Sequence, residues 1–438
     1  MKVLRTAGLS ALVGLGTAQA QLPQVPQAPQ LAAELAGPLT REKVVRIALA
    51  HHPTVQAAEA RAHAAATAAD AEGRLPNPEV GFDLWQVPLA RPYAIGDAQM
   101  AMVSLRQRFP ASLGAREDAR RAESRAEEAS LADRRRLLAR DVGHAFVDYR
   151  EAHERHRVHG AHVAVMSEML AVAARRHEAG GALLEWAQAD LDLARAQVDQ
   201  ASDGAKSDAN RARLNTLLLR PPAAPLGVPM DEEPLRAAWD LSTLLAEARK
   251  RRPEVQAATA QREAKEHDLR AAEREATIPA FSVGLLYFVP VGPMPTHGVG
   301  VSLSAELPWL WGGANRRAQA QGDLSKAARH ELDAELVRSD AEVAAWDAAV
   351  RAASIRLTVL RDRALPAAQR AADVAWAGVD ANRADLRAVV QARRSVVDTE
   401  VDIVSTRAML DHALIDLDSA VGISVPRSTG ALAPSHHP

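Results

Sequence analysis

Four short stretches of the chain alternate apolar with polar residues, and nearly everything between them repeats its apolar positions at helical spacing. In the first stretch Val80, Phe82 and Leu84 alternate with Glu79, Gly81 and Asp83. In the second, Ala101, Val103, Leu105 and Phe109 are set against Ser104, Arg106 and Arg108. The third carries Phe281, Val283, Leu285, Tyr287 and Val289; the fourth carries Val299, Val301, Leu303 and Leu307 opposite Gly300, Ser302, Ser304 and Glu306. A period of two is the signature of a strand with one apolar face, so strands are predicted over about 78–87, 98–109, 280–290 and 297–307. Each is about 10 residues, the length of a tilted strand crossing a bilayer.

The remainder reads as helix, over about 40–74, 112–178, 182–219, 241–276, 314–378 and 383–421. In the last of these Val389, Val396, Ile403, Leu410 and Leu417 recur every seventh position, flanked by Val390, Val397 and Val404, a coiled-coil seam. The 112–178 span would be about 100 Å long as one helix. A long hollow or fibrous object is implied.

The chain is also written twice. HPTVQAAEARAHAAA at 52–66 matches RPEVQAATAQREAKE at 252–266, and VSLRQRFPASLG at 103–114 matches VSLSAELPWLWG at 301–312. Pro76 and Pro279 stand before the corresponding strand pairs. Two tandem halves follow, 39–219 and 241–426, joined by a proline-rich linker at 220–240, with a Pro/Gln-rich segment at 21–38 and a flexible tail at 427–438.

Composition narrows what such a chain can do. Residues 1–20, with Lys2 and Arg5 before a short apolar run and Ala18-Gln19-Ala20 at its end, read as a cleaved signal peptide. With no cysteine among 438 residues, the exported N-terminus cannot be lipidated, and disulfides and thiolate metal sites are excluded. A net charge of −2 argues against a nucleic-acid partner. Aromatic residues are only 3%, too few for a thick core, while alanine-rich helices pack closely. No apolar run approaches the roughly 18 to 20 residues of a transmembrane helix, so any membrane crossing falls to the strands.

Four strands cannot close a barrel, because the smallest membrane barrels need about 8. Open edges in lipid leave backbone groups unpaired at several kcal/mol each. The chain therefore has to associate, and three copies would supply about twelve strands above a tube of helices. The expected fold is a mixed α and β membrane protein, a trimeric 12-stranded β-barrel continuous with a long α-helical coiled-coil barrel.

With these features the chain resembles the TolC-like outer-membrane factors over about residues 39–426. The block RPEVQAATAQREAKEHDLRAAEREATIPAFSVG before the second strand pair, and LPWLWGGANRRAQA after it, resemble that family's own. The resemblance implies a homotrimer with a barrel in outer-membrane lipid, a periplasmic helical barrel, and hairpin tips that meet a periplasmic adaptor protein and, through it, an inner-membrane pump. It places the first tip at Gly180, Gly181, Ala182 and Leu183, and the second at Asn382, Arg383 and Ala384, with Asn382 where glycine is usual. Asparagine tolerates the left-handed conformation such a turn needs. Where some members carry entrance aspartates this chain has Ala388 and Gln391, which argues against an acidic cation-binding entrance. Asp385, Arg383 and Arg387 lie close enough to form a mixed-charge gate, or are ordinary solvated charges. LPNPEVGFDL at 75–84 resembles the heavy-metal cation-efflux branch. The implied function is a passive export duct of a tripartite efflux system for metal cations. The alternatives are a drug-efflux or type I secretion duct and, further off, a secreted structural coiled coil.

No enzyme is expected, since Gly-x-Ser-x-Gly, His-Glu-x-x-His and glycine-rich phosphate loops are all missing from the sequence, and no cofactor is implied. One cluster asks for a chemical explanation: His153, His156, His159 and His162. Three-residue spacing turns each by about 60° around a helix, so the four sweep half its circumference and cannot all face one ion. Adjacent pairs suit zinc, copper or nickel. Against that, Arg150, Glu151, Glu154, Arg155 and Arg157 interleave with them, as on a solvated face, and a solvated surface is the expectation.

Overall fold

The computed structural model describes residues 28–85, 87, 89–90, 100–180, 182–230, 236–237, 240–290, 296–380, 386–424 and 427–428. The first half comprises α1 (Ala28–Ala36), α2 (Arg41–His51), α3 (Pro53–Glu72), β1 (Glu79–Trp85), β2 (Met100–Phe109), α4 (Leu113–Glu178) and α5 (Leu183–Leu217). After a two-residue strand β3 (Arg236–Ala237), the second half runs α6 (Leu241–Arg251), α7 (Pro253–Thr277), β4 (Phe281–Pro290), β5 (Gly298–Ala305), α8 (Gly313–Val359), α9 (Leu365–Asp380) and α10 (Leu386–Val421), and ends at β6 (Arg427–Ser428). Apart from α1, and with α8 and α9 counted as one interrupted helix, the two halves carry the same element order, as the doubled sequence predicts.

All four alternating runs are strands, β1, β4 and β5 slightly shorter than predicted, in one antiparallel sheet of order β1-β2-β4-β5. This overturns the coiled-coil alternative, which needs those runs to be loops. Leu307 lies just beyond the end of β5. The predicted signal peptide lies outside the described residues.

Several boundaries differ, most of them at prolines. The spans 40–74 and 241–276 are each two helices, broken at His52 and Arg252. The ring of a proline disfavours helical backbone in the residue before it, and both residues are extended, with ψ 128° and 123°. Pro53 and Pro253 then open the next helix, where a missing N–H costs nothing. Pro366 interrupts the long second-half helix differently: a π-helical turn at Leu360–Ala364 joins α8 to α9 without ending the helix. Finally, the Pro/Gln-rich segment contributes helix α1, and the first residues of the supposed tail, β6, pair with β3 in the linker.

Each half has its own apolar core. In the first, Leu39, Val44 and Ile47 cover Val142, Phe146 and Leu214 of the two long helices. In the second, Leu244 and Ala248 cover Val343, Val350, Leu414 and Leu417. The predicted seam of α10 is real: Val389, Val396, Leu410 and Leu417 are buried and Ile403 is partly so. Helix α4 runs unbroken for 66 residues, about 100 Å. None of the described helices is apolar enough to cross a membrane.

Candidate functional site

The register of the sheet decides what its faces are. Val80 pairs with Leu105, Leu105 with Leu285, and Leu285 with Val301; Phe82, Val103, Tyr287 and Val299 form the next such row. The four apolar stripes therefore fall on a single face, with Glu79, Ser104, Arg106, Ser282, Ser302 and Ser304 on the other. In the single chain the apolar face stands open: Val80 is 75% exposed, Val299 78%, Val301 77% and Leu303 73%. Strands β1 and β5 each leave one edge unpaired within the sheet. On the polar face Arg108 reaches across to Glu306 at 2.8 Å.

At the far end of α4 the chain leaves the helix at Gly180. The Gly180 N–H donates to the His177 carbonyl at 2.9 Å, and its φ of 91° is a conformation that side chains with a Cβ resist. Ala182 is extended and Leu183 begins α5, with Leu183 and Leu184 exposed at 59% and 57%. Gly181 lies outside the described residues, as do Asn382, Arg383, Ala384 and Asp385, so the second tip and its mixed-charge gate do too. Of the predicted entrance residues, Arg387, Ala388 and Gln391 occupy the first turns of α10 and are exposed. Arg387 and Gln391 line a cleft of about 290 Å³ opposite Glu185, Gln188 and Asp192 of α5. Behind it Met166, Met169, Ala189, Val379 and Val389 tie the two hairpins together with apolar contact.

The four histidines are not a solvated face, which corrects the expectation from their charged neighbours. His159 is buried, its Nδ1 2.8 Å from Asp203 Oδ2 but poorly aligned for a hydrogen bond. His156 Nδ1 lies 3.0 Å from the Gln200 carbonyl. His153 lies beside the Tyr149 ring, with centroids 6.4 Å apart, and burial, helped by His159, pushes the His162 pKa down. The reason is the packing of α5 along α4, which sequence spacing alone does not reveal. Burial pushes the Asp203 carboxyl up, but Lys206, Arg155 and His159 outweigh it and hold the group below its ordinary value. Among the described residues, no group of three or more His, Cys, Asp or Glu side chains is arranged to hold a metal ion.

A second histidine site was missed. His144-Ala-Phe-Val-Asp148 on α4 and His412-Ala-Leu-Ile-Asp416 on α10 are the same pentad, and the antiparallel helices pair it with itself. His412 Nε2 lies 2.9 Å from Asp148 Oδ1, His144 Nε2 lies 3.2 Å from Asp416 Oδ1, and the two rings are 4.6 Å apart. Gly143 permits the close approach, since a Cβ there would sit 3.2 Å from Ile415 Cδ1. Polar contact continues on both sides: Arg136 donates to the Ser419 carbonyl at 2.8 Å, Arg150 pairs with Asp411, and Arg155 donates to Ser405 Oγ at 3.2 Å.

No family model matches the sequence, and no curated protein matches it. Solved structures do. The outer-membrane channel OprN is 19% identical, with 87% of this chain and 89% of that one covered and a TM-score of 0.71. The outer membrane protein VceC from Vibrio cholerae is 16% identical, with 88% and 97% covered and a TM-score of 0.73. CusC is 16% identical, with 87% and 92% covered and a TM-score of 0.72. The fold is TolC-like. In this TolC-like chain the sheet and the first hairpin tip lie at opposite ends of α4, separated by its whole length.

Proposed function

We propose that three copies of this chain form the outer-membrane channel of a tripartite efflux system, a passive duct from periplasm to exterior. The observation that carries the reading is the sheet register, which gathers every apolar stripe on one exposed face and leaves an open edge on each side. Such a sheet is stable in lipid only when its edges are met by further strands. Strands β1 and β5 run in opposite senses, so the edge of one copy meets that of the next antiparallel, and three copies close about twelve strands. OprN, described as an outer-membrane channel, VceC, described as an outer membrane protein, and CusC, described with transmembrane channel formation, support the same reading.

The tips, Gly180 to Leu183 and Asn382 to Ala384, are then the docking points for a periplasmic adaptor and inner-membrane pump, and Asp385, Arg387, Ala388 and Gln391 the entrance. Residues 1–20 direct export without lipidation. The duct needs no catalysis and no cofactor. The ground for a metal-cation cargo is the resemblance at 75–84; the histidine band lends it little, since His153, His156 and His159 each have a neighbour of their own.

The test is a pair of neighbouring substitutions. Val301→Arg puts a charge on the face assigned to lipid, which costs about 2–4 kcal/mol near the bilayer midplane; Ser302→Arg puts it on the lumen side. Detergent-extracted trimer is expected to be lost with the first and kept with the second. A water-soluble monomer, or equal tolerance of both changes, overturns the proposal.

A further inference from the structure

The polar face of the sheet changes character along its length. Near the helices its rows are Arg108 and Ser282, then Glu79, Arg106, Gly284 and Ser302, small or charged throughout. Toward the far end the same face carries Leu286, then Asp83, Met102 and Phe288, then Trp85 and Met100. Phe288 lies against Gly298 and Gly300, where a Cβ would come within 3.4 Å and 3.1 Å of its ring carbons. Those glycines leave the ring room to lie along the wall. Charge is balanced near the helices, where Arg108 meets Glu306 and Glu79 stands opposite Arg106. Among the described residues of the outer rows Asp83 is the only charged side chain, and it is exposed.

We propose that this outer part of the lumen wall, built by Trp85, Met100, Met102, Leu286 and Phe288 around the Asp83 carboxylate, is a binding site for amphipathic organic cations in transit. The inference rests on the duct reading, because only closure of the sheet turns this face inward. Trp85 is exposed and Met100, Met102, Leu286 and Phe288 are half-buried, so a solute with apolar surface gains by covering what they leave open to a water-filled bore. Aromatic rings and polarisable thioethers suit flat or irregular organic surfaces. The single carboxylate and the ring faces of Phe288 and Trp85 both favour positive charge. A small hydrated inorganic ion gains nothing from the apolar members. Three copies place three such walls around one bore, and a site that must release its cargo is served by a shallow contact of this kind.

Two ions of nearly equal shape and opposite charge test it. The detergent-purified full chain is titrated with tetraphenylphosphonium and with tetraphenylborate. The cation is expected to bind the more tightly, with Asp83→Asn weakening the cation alone by about fivefold and Phe288→Ser weakening both. Trp85→Ser, at a side chain 54% exposed, repeats the second arm at a position where folding is not at stake. No binding, or binding unchanged by Phe288→Ser and Trp85→Ser, overturns the site; loss with those two but indifference to Asp83→Asn overturns its preference for cations. The chain has no cysteine, so single cysteines report the faces separately. In membranes Ser302→Cys is expected to react with a water-soluble thiol reagent far faster than Val301→Cys. Equal rates sink the duct itself, whereas unequal rates with failed titrations sink only the binding site.

Discussion

Helix α10 holds its two long neighbours by opposite means. Toward α8 it buries Leu410, Leu414 and Leu417 against Val343, Val350 and Leu357. Toward α4 it presents Asp411, His412 and Asp416 to Arg150, Asp148 and His144, with only Val147, Ala408 and Ile415 as a small apolar cluster between them. The first contact lies within one half of the chain, and the second joins the halves. Apolar burial is non-directional and supplies most of the stability, whereas paired charges roughly offset their own desolvation and act chiefly on geometry. Each half is thus held together by its core, and the polar seam of α10 with α4 sets register between them, alongside the β2–β4 pairing. Apolar contact between halves returns near the tip, at Met166, Met169, Val379 and Val389.

The largest effect should come from the core side of that contrast. Leu417 is fully buried, and Leu417→Ala is expected to cost about 3–4 kcal/mol in denaturant unfolding, because it loses both transfer free energy and packing. A cost under about 1 kcal/mol would mean that α10 is not anchored by α8, and the comparison would fail.

The seam offers a sharper discrimination. Arg150 is buried beside Asp411, so Arg150→Met alone strands a carboxylate and is expected to cost about 2–3 kcal/mol. Adding Asp411→Leu should return stability to within about 1 kcal/mol of the starting protein, since replacing both members of a buried pair is often neutral. If the pair contributed bulk stability, the double variant would stay low.

The elements that local pattern specifies were legible in the sequence. Alternation found all four strands, and because their period is two, the stripes could be checked against one another by register; they agree along the whole sheet. The heptad of α10 was legible for the same reason, as was Gly180, whose φ only glycine adopts cheaply. The breaks at His52 and Arg252 stood in the sequence as X-Pro, but equal helical pattern on both sides hid them. What could not be read was which helix covers which. His159 sits among charges in the chain and among α5 side chains in space. The repeated His-Ala-x-x-Asp pentad was a visible signal, yet it acquires meaning only when α4 and α10 are known to run antiparallel with these residues level.

The smallest predicted effect concerns that pentad and acid. Burial pushes the Asp148 carboxyl up, but the His412 hydrogen bond and the charges of His412, Arg213 and His144 outweigh it, and the group is held below its ordinary value. The sign follows by linkage. A carboxyl depressed in the folded state contributes stability that is fully present above its unfolded pKa, about 3.9, and is lost as pH falls through the folded value. His412→Gln keeps a donor but removes the ring's charge, so it takes away part of what depresses Asp148. The unmodified chain should therefore lose more stability than His412→Gln between about pH 5 and pH 3. Unfolding midpoints measured across that range decide it. Parallel loss in both proteins would mean that Asp148 draws its stabilisation from Arg213 and His144, and that His412 fixes the position of α10 without contributing to its pH dependence.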